Sequence, residues 1–137
     1  MPPDPVRVAD TRAWLEKAEQ DLRSAQADLA FAPPIMGDAV FHCQQAVEKA
    51  LKAFLTWHDR PFRKTRDLVE LGGLCVALDA DLETLLRPAA PLTEYAWKFR
   101  YPGDASVPTP AESEAALTLA SLVVQTISDR VPPEARI

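Results

Sequence analysis

The chain has 137 residues, 47% of them hydrophobic, and a formal net charge of −5. These values are typical of one folded domain with its own core, and they argue against a disordered chain and against broad, nonspecific nucleic-acid binding. No apolar run approaches the roughly 20 residues that span a bilayer, and residues 1–5 lack the basic and apolar regions of a signal peptide. We therefore expect a cytoplasmic protein without a membrane partner.

Thirteen prolines divide the chain into helical segments, because helix interiors exclude proline. The first predicted helix covers about residues 11–31, the second 38–57 and the third 67–78. A fourth helical region at 81–99 is interrupted by prolines. The fifth helix starts at Thr109, which is followed by proline at the first helical position and by glutamate at the third, as in a capping box.

No sustained two-residue alternation typical of strands occurs in the sequence. The pattern therefore predicts an all-α fold, an up-and-down four-helix bundle with an additional short helix, about five helices in all. We divide the chain into a flexible N-terminal segment at 1–10, a single helical domain at 11–131 and a flexible C-terminal tail at 132–137.

The second predicted helix has an unusual distribution of side chains. On a helical projection its apolar residues fill an arc of roughly 200°, wider than a surface helix needs, so we expect it to pack against several neighbours. Gln44 falls inside the apolar arc and needs hydrogen-bond partners there. Phe41 falls on the polar face, which is formed by His42, Gln45, Glu48, Lys49 and Lys52. We expect this face, with Phe41, to point outwards from the bundle.

Three segments resemble one known family. Residues 44–53, with the sequence QQAVEKALKA, resemble the signature helix of HEPN domains (higher eukaryote and prokaryote nucleotide-binding domains). Residues 64–68 resemble the family's Thr-His-Asp-Leu segment, and residues 100–102 its Arg-Tyr-Pro-Asp segment. The similarity extends over residues 14–131. It implies a helical bundle that commonly dimerises and often acts beside a small nucleotidyltransferase in toxin–antitoxin-like gene pairs.

The resemblance also bears on catalysis. Many HEPN proteins are ribonucleases, an activity associated with an arginine followed four to six residues later by a histidine. No arginine precedes His42 or His58 at that interval. Arg66 stands where the family usually has histidine, and Gly103 stands where it usually has aspartate. We therefore expect no catalytic residue, and no metal or cofactor.

Positive charge is concentrated between residues 48 and 66, where six lysines and arginines accompany two acidic residues. The leading hypothesis is a non-catalytic HEPN-type module that binds a nucleotide or RNA phosphate, or a nucleotidyltransferase partner, or both. The predicted phosphate-binding residues are Lys49, Lys52, Arg66, Arg100 and Tyr101.

One alternative is a pure protein-interaction or dimerisation module without a small ligand. Its predicted interface residues, which would serve a homodimer or another protein partner, are Phe41, His42 and Gln45. A ribonuclease with an unusual constellation, such as His42 with Arg66, is the least favoured alternative. Cys43 and Cys75 are predicted to be buried free thiols.

Overall fold

The computed structural model describes residues 3–103 and 106–137, and over these residues the fold is all-α, as predicted. The five α-helices are α1 (Pro5–Ala30), α2 (Met36–Trp57), α3 (Leu68–Leu78), α4 (Glu83–Ala89) and α5 (Pro110–Asp129). The three short 3₁₀ helices are Ala80–Leu82, Ala90–Ala96 and Pro133–Ala135. Within the described residues there is no strand, and no helix is both long and apolar enough to cross a membrane.

Helix α2 lies at the centre of the bundle. It packs most extensively against α1, and it also contacts α5, α3 and the 3₁₀ helix Ala90–Ala96. Leu51, Phe54 and Leu55 on α2 are almost completely buried. The wide apolar arc of this helix therefore has the function expected from the sequence, which is to supply the core for several neighbours at once.

Helix α1 begins earlier than the sequence pattern indicated. Its first turn starts at Pro5, where the Asp4 carboxylate accepts a hydrogen bond from the backbone N–H of Val6 at 2.9 Å. Proline is compatible with the first turn of a helix because its missing N–H has no partner there in any case. The predicted start at residue 11 was wrong, since this upstream cap lies outside the apolar pattern.

The other helix ends match the predictions in part. At α5, Thr109 and Glu112 form the predicted capping box. At α3, the Asp67 side chain accepts a hydrogen bond from the backbone N–H of Val69 and caps the helix, and Glu70 forms an ion pair with Arg63. The predicted fourth region at 81–99 consists of a short α4 followed by a 3₁₀ helix, since prolines interrupt regular α-helical bonding.

Both cysteines are buried free thiols, as predicted. Burial raises the pKa of each thiol to about 12, and the nearby carboxylates Asp21 and Asp28 contribute to the increase for Cys43. The Cys75 thiol donates to the carbonyl oxygen of Leu51 at 3.7 Å. These thiols therefore help to pack the bundle and are not in a reactive environment.

Candidate functional site

Part of the polar face of α2 is covered by other parts of the chain. Gln45, Glu48 and Lys52 are all buried, and Glu48 and Lys52 are each only 6% exposed. The Lys52 ammonium lies 5.5 Å from the ring centroid of Trp14 on α1 and 5.9 Å from that of Phe62 in the α2–α3 loop. Lys52 does not face solvent as expected, because these two aromatic side chains lie beside its ammonium group.

Lys52 and Glu48 form a buried ion pair beneath these rings. The Lys52 ammonium donates to Oε1 of Glu48 at 2.7 Å. The second oxygen, Oε2, is buried and forms no hydrogen bond within the described part of the chain. The pair is therefore electrically balanced, but one of its acceptors lacks a donor.

A groove of about 400 Å³ lies between α2 and the α2–α3 loop. The residues that line this groove, which we call the basic groove, are Gln45, Glu48, Lys52, Lys64, Thr65 and Arg66. Its α2 side consists of buried polar side chains, whereas Lys64 and Arg66 are exposed on the loop side. Three cationic groups and one carboxylate therefore share the groove, and Lys64 and Arg66 face solvent.

Hydrogen bonds hold the loop side of the basic groove in place. Gln44 is fully buried, as predicted, and its amide donates to the carbonyl oxygen of Arg66 at 3.0 Å. The Thr65 hydroxyl accepts from the backbone N–H of Asp67 at 3.1 Å. Gln44 therefore fixes the backbone that presents Lys64 and Arg66.

Phe41 connects Arg66 to Arg100. The guanidinium carbon of Arg100 lies 3.6 Å from the centroid of the Phe41 ring, and that of Arg66 lies 5.9 Å from it. Phe41 is half-buried by these contacts, so the outward-facing aromatic ring expected from the sequence is partly covered. Arg100 also lies 3.6 Å from the Asp38 carboxylate, and the next residue, Tyr101, is exposed.

Lys49 and His42 lie in a different environment. The Lys49 ammonium donates to Oδ2 of Asp21 at 2.6 Å, and Nδ1 of His42 lies 2.8 Å from Oδ1 of Asp21. Nε2 of His42 lies 3.3 Å from Asp38. We call Asp21, Asp28, Asp38, His42 and Lys49 the His42 cluster.

Two sequence-based expectations change as a result. Lys49 is paired with a carboxylate and does not line the basic groove. Both ring nitrogens of His42 face carboxylates, an arrangement that does not direct the imidazole towards Arg66 as the ribonuclease alternative requires.

Sequence reasoning missed Asp28, which is 92% buried near the end of α1. Burial raises the pKa of the Asp28 carboxyl to about 6, with further contributions from a hydrogen bond to Asp38 and from the charge of Asp38. Asp21 and Asp28 are seven residues apart and therefore lie on the same helix face. The seven-residue spacing of these two aspartates was the signal in the sequence that could have identified Asp28, although apolar residues lie between them.

A family model described as HEPN domain matches residues 11–130, which covers nearly all of the bundle from α1 to α5. The chain belongs to the HEPN family. No curated protein and no solved structure gives a significant match. In this HEPN chain, the three motif segments lie close together: 44–53 and 64–68 supply the two sides of the basic groove, and Arg100 reaches the Phe41 ring beside Arg66.

Proposed function

We propose that this HEPN chain is a non-catalytic binding module that holds the phosphate of a nucleotide or of RNA at the basic groove. The observation that supports this most directly is the convergence of Lys64 and Arg66 on one side of a groove that also contains Lys52. Arg100, which shares the Phe41 ring with Arg66, adds a further positive charge beside it.

The distribution of charge gives the ligand an orientation. A guanidinium can bind two phosphate oxygens at once, and an ammonium contributes a compact positive charge. Glu48, on the α2 side, repels phosphate but can accept hydrogen bonds from a sugar hydroxyl or a base amino group. We therefore expect the phosphate at Lys64 and Arg66, and the nucleoside towards Gln45 and Glu48.

The size of the groove agrees with a small ligand. A volume of about 400 Å³ falls within the roughly 300–1,000 Å³ that ligand pockets occupy.

The position of His42 argues against RNA cleavage at this groove. Cleavage chemistry needs a group that moves a proton beside the phosphate. Both ring nitrogens of His42 face Asp21 and Asp38 instead. We therefore expect binding without RNA hydrolysis.

A panel of nucleotides and a short single-stranded RNA tests the proposal. Thermal unfolding of the full chain would be measured with AMP, ATP, GTP and an oligouridine. A ligand at 100 times its dissociation constant should raise the free energy of unfolding by about 2.7 kcal/mol. The double variant Lys64→Ala/Arg66→Ala should lose this stabilisation.

The matched control is Arg60→Ala/Arg63→Ala, which removes two positive charges from the same loop. Neither of its residues lines the basic groove, so it should retain ligand binding. Melting curves that do not change with any ligand would contradict the proposal. Equal loss of binding in both double variants would show that loop charge in general, and not the basic groove, attracts the ligand.

A second candidate function is protein interaction, as a homodimer or with a nucleotidyltransferase in a toxin–antitoxin-like pair. The observation that favours it is the exposure of two aromatic residues near Arg100: Trp97 is 56% exposed and Tyr101 is also exposed. Large apolar side chains of this kind are common at the centre of interfaces. The two functions are compatible. A cytoplasmic location would suit either function, because both cysteines are free thiols and cytosolic proteins keep their thiols reduced.

A further inference from the structure

The His42 cluster contains three potential ligands for a metal ion. Asp28, Asp38 and His42 each place one ligating atom within 4.8 Å of the other two. Nε2 of His42 and Oδ2 of Asp38 are 3.3 Å apart. Metal–ligand bonds of about 2.0–2.2 Å place neighbouring ligand atoms roughly 3–4 Å apart, so small side-chain movements would bring the three atoms around one ion.

The neighbouring ion pair orients the imidazole for this purpose. Asp21 accepts a hydrogen bond from Lys49 and is therefore a carboxylate acceptor. Nδ1 of His42, 2.8 Å from Asp21, must then carry the hydrogen. Nε2, on the side of Asp38, is then the ring nitrogen through which His42 can bind a metal ion. Histidines that bind metals have this arrangement, with a carboxylate bound to the other ring nitrogen.

Asp28 supplies an independent observation. It is nine-tenths buried, and its Oδ2 forms no hydrogen bond within residues 3–103 and 106–137. Lys49 pairs with Asp21 and Arg100 with Asp38, whereas no ion pair to Asp28 occurs among these residues. A buried carboxylate oxygen without a donor is unfavourable, and a cation would compensate for it.

We propose that Asp28, Asp38 and His42 bind a divalent transition-metal ion, with Zn²⁺ and Mn²⁺ as the candidates. One imidazole nitrogen and two carboxylate oxygens are a mixed ligand set suited to these ions. The Asp38 side chain is 40% exposed, which provides an entry path and room for water ligands. The linear spacing of the three residues matches no metal motif, because the site forms only when α1 packs against α2.

The experiment uses the full chain after treatment with a chelator. Zn²⁺, Mn²⁺ and, for comparison, Mg²⁺ are titrated separately, with calorimetry for stoichiometry and thermal unfolding for stability. We expect one Zn²⁺ or Mn²⁺ per chain and a higher melting temperature. Asp28→Asn should weaken binding by about 10-fold or more, while its metal-free form remains folded because the amide carries no charge.

Glu19→Gln is the matched control, an acid-to-amide change on the exposed side of α1, and it should bind the ion as the unchanged chain does. His42→Gln should also lose binding. Absence of stoichiometric binding by either ion would overturn the proposal. Equal metal affinity in Asp28→Asn and the unchanged chain would also overturn it. A proton shared between Asp28 and Asp38 would then be enough to explain the contact between these two carboxyl groups.

Discussion

Lys52 is a residue whose burial could not be predicted from its position on the helix. Its place on the helix predicted exposure, yet it lies beneath Trp14 and Phe62 and donates to Glu48. A buried charge is tolerated when a hydrogen-bonded counter-charge accompanies it. Lys52 therefore contributes to the basic groove mainly as part of a neutral pair, and Lys64 and Arg66 contribute the net positive charge.

This pairing gives a prediction for stability. Lys52→Ala should lower the free energy of unfolding by about 3–5 kcal/mol, because it leaves the Glu48 carboxylate buried without its partner. The apolar double variant Glu48→Leu/Lys52→Met should recover most of that loss. Urea unfolding of the two variants and of the unchanged chain measures both effects.

The exposed pair between Glu83 and Arg87 has the same four-residue spacing and serves as the control. Arg87→Ala should change the free energy of unfolding by only about 0–1 kcal/mol, because solvent screens exposed pairs. Lys52→Ala could instead lower the free energy of unfolding no more than Arg87→Ala does. That result would show that burial does not make the Glu48–Lys52 pair more important for stability than an exposed pair.

Among the helices, α5 is the element whose start was most clearly encoded. Its capping box requires only residues that are close in sequence: Thr109 accepts from the backbone N–H of Glu112 at 3.0 Å, and the Glu112 carboxylate accepts from the N–H of Thr109 at 3.3 Å. The start of α1 was missed because its cap, Asp4, lies one turn and more before the apolar pattern begins. Local hydrogen bonds are therefore predictable where the pattern and the cap coincide.

The cap of α5 can be tested by removing one hydroxyl. Thr109→Ala should lower the free energy of unfolding by about 0.5–2 kcal/mol, since the backbone N–H of Glu112 loses its acceptor. Thr118→Ala is the control, because Thr118 is exposed in the interior of the same helix. At position 118, alanine should leave the free energy of unfolding unchanged or raise it slightly. Similar losses in both variants by urea unfolding would argue against a specific role for the cap.

At the scale of the whole molecule, the exposed aromatic side chains provide a test of assembly. If the chain forms a homodimer through the surface near Arg100, Trp97→Asp should convert it to a monomer, because a buried unpaired carboxylate disfavours the interface. Sedimentation or light scattering measures the mass, and circular dichroism checks that the helices remain.

Leu122→Asp is the matched control, since Leu122 is another large hydrophobic residue and is 52% exposed on α5. It should leave the mass unchanged. Dissociation by Leu122→Asp alone would place the interface on α5, and an unchanged mass for Trp97→Asp would remove Trp97 from the interface.

The sequence by itself determined the helical fold, the inward position of Gln44, the capping box of α5 and membership of the HEPN family. These depend on helical periodicity and on residues that are neighbours in the chain. Tertiary structure alone decided that Lys52 and Glu48 are buried, that Lys49 pairs with Asp21, and that Phe41 lies against Arg100. These contacts join α2 to α1, to the α2–α3 loop and to the segment after the 3₁₀ helix Ala90–Ala96. Helical periodicity identifies the face of a residue, but only packing decides which other segment covers that face.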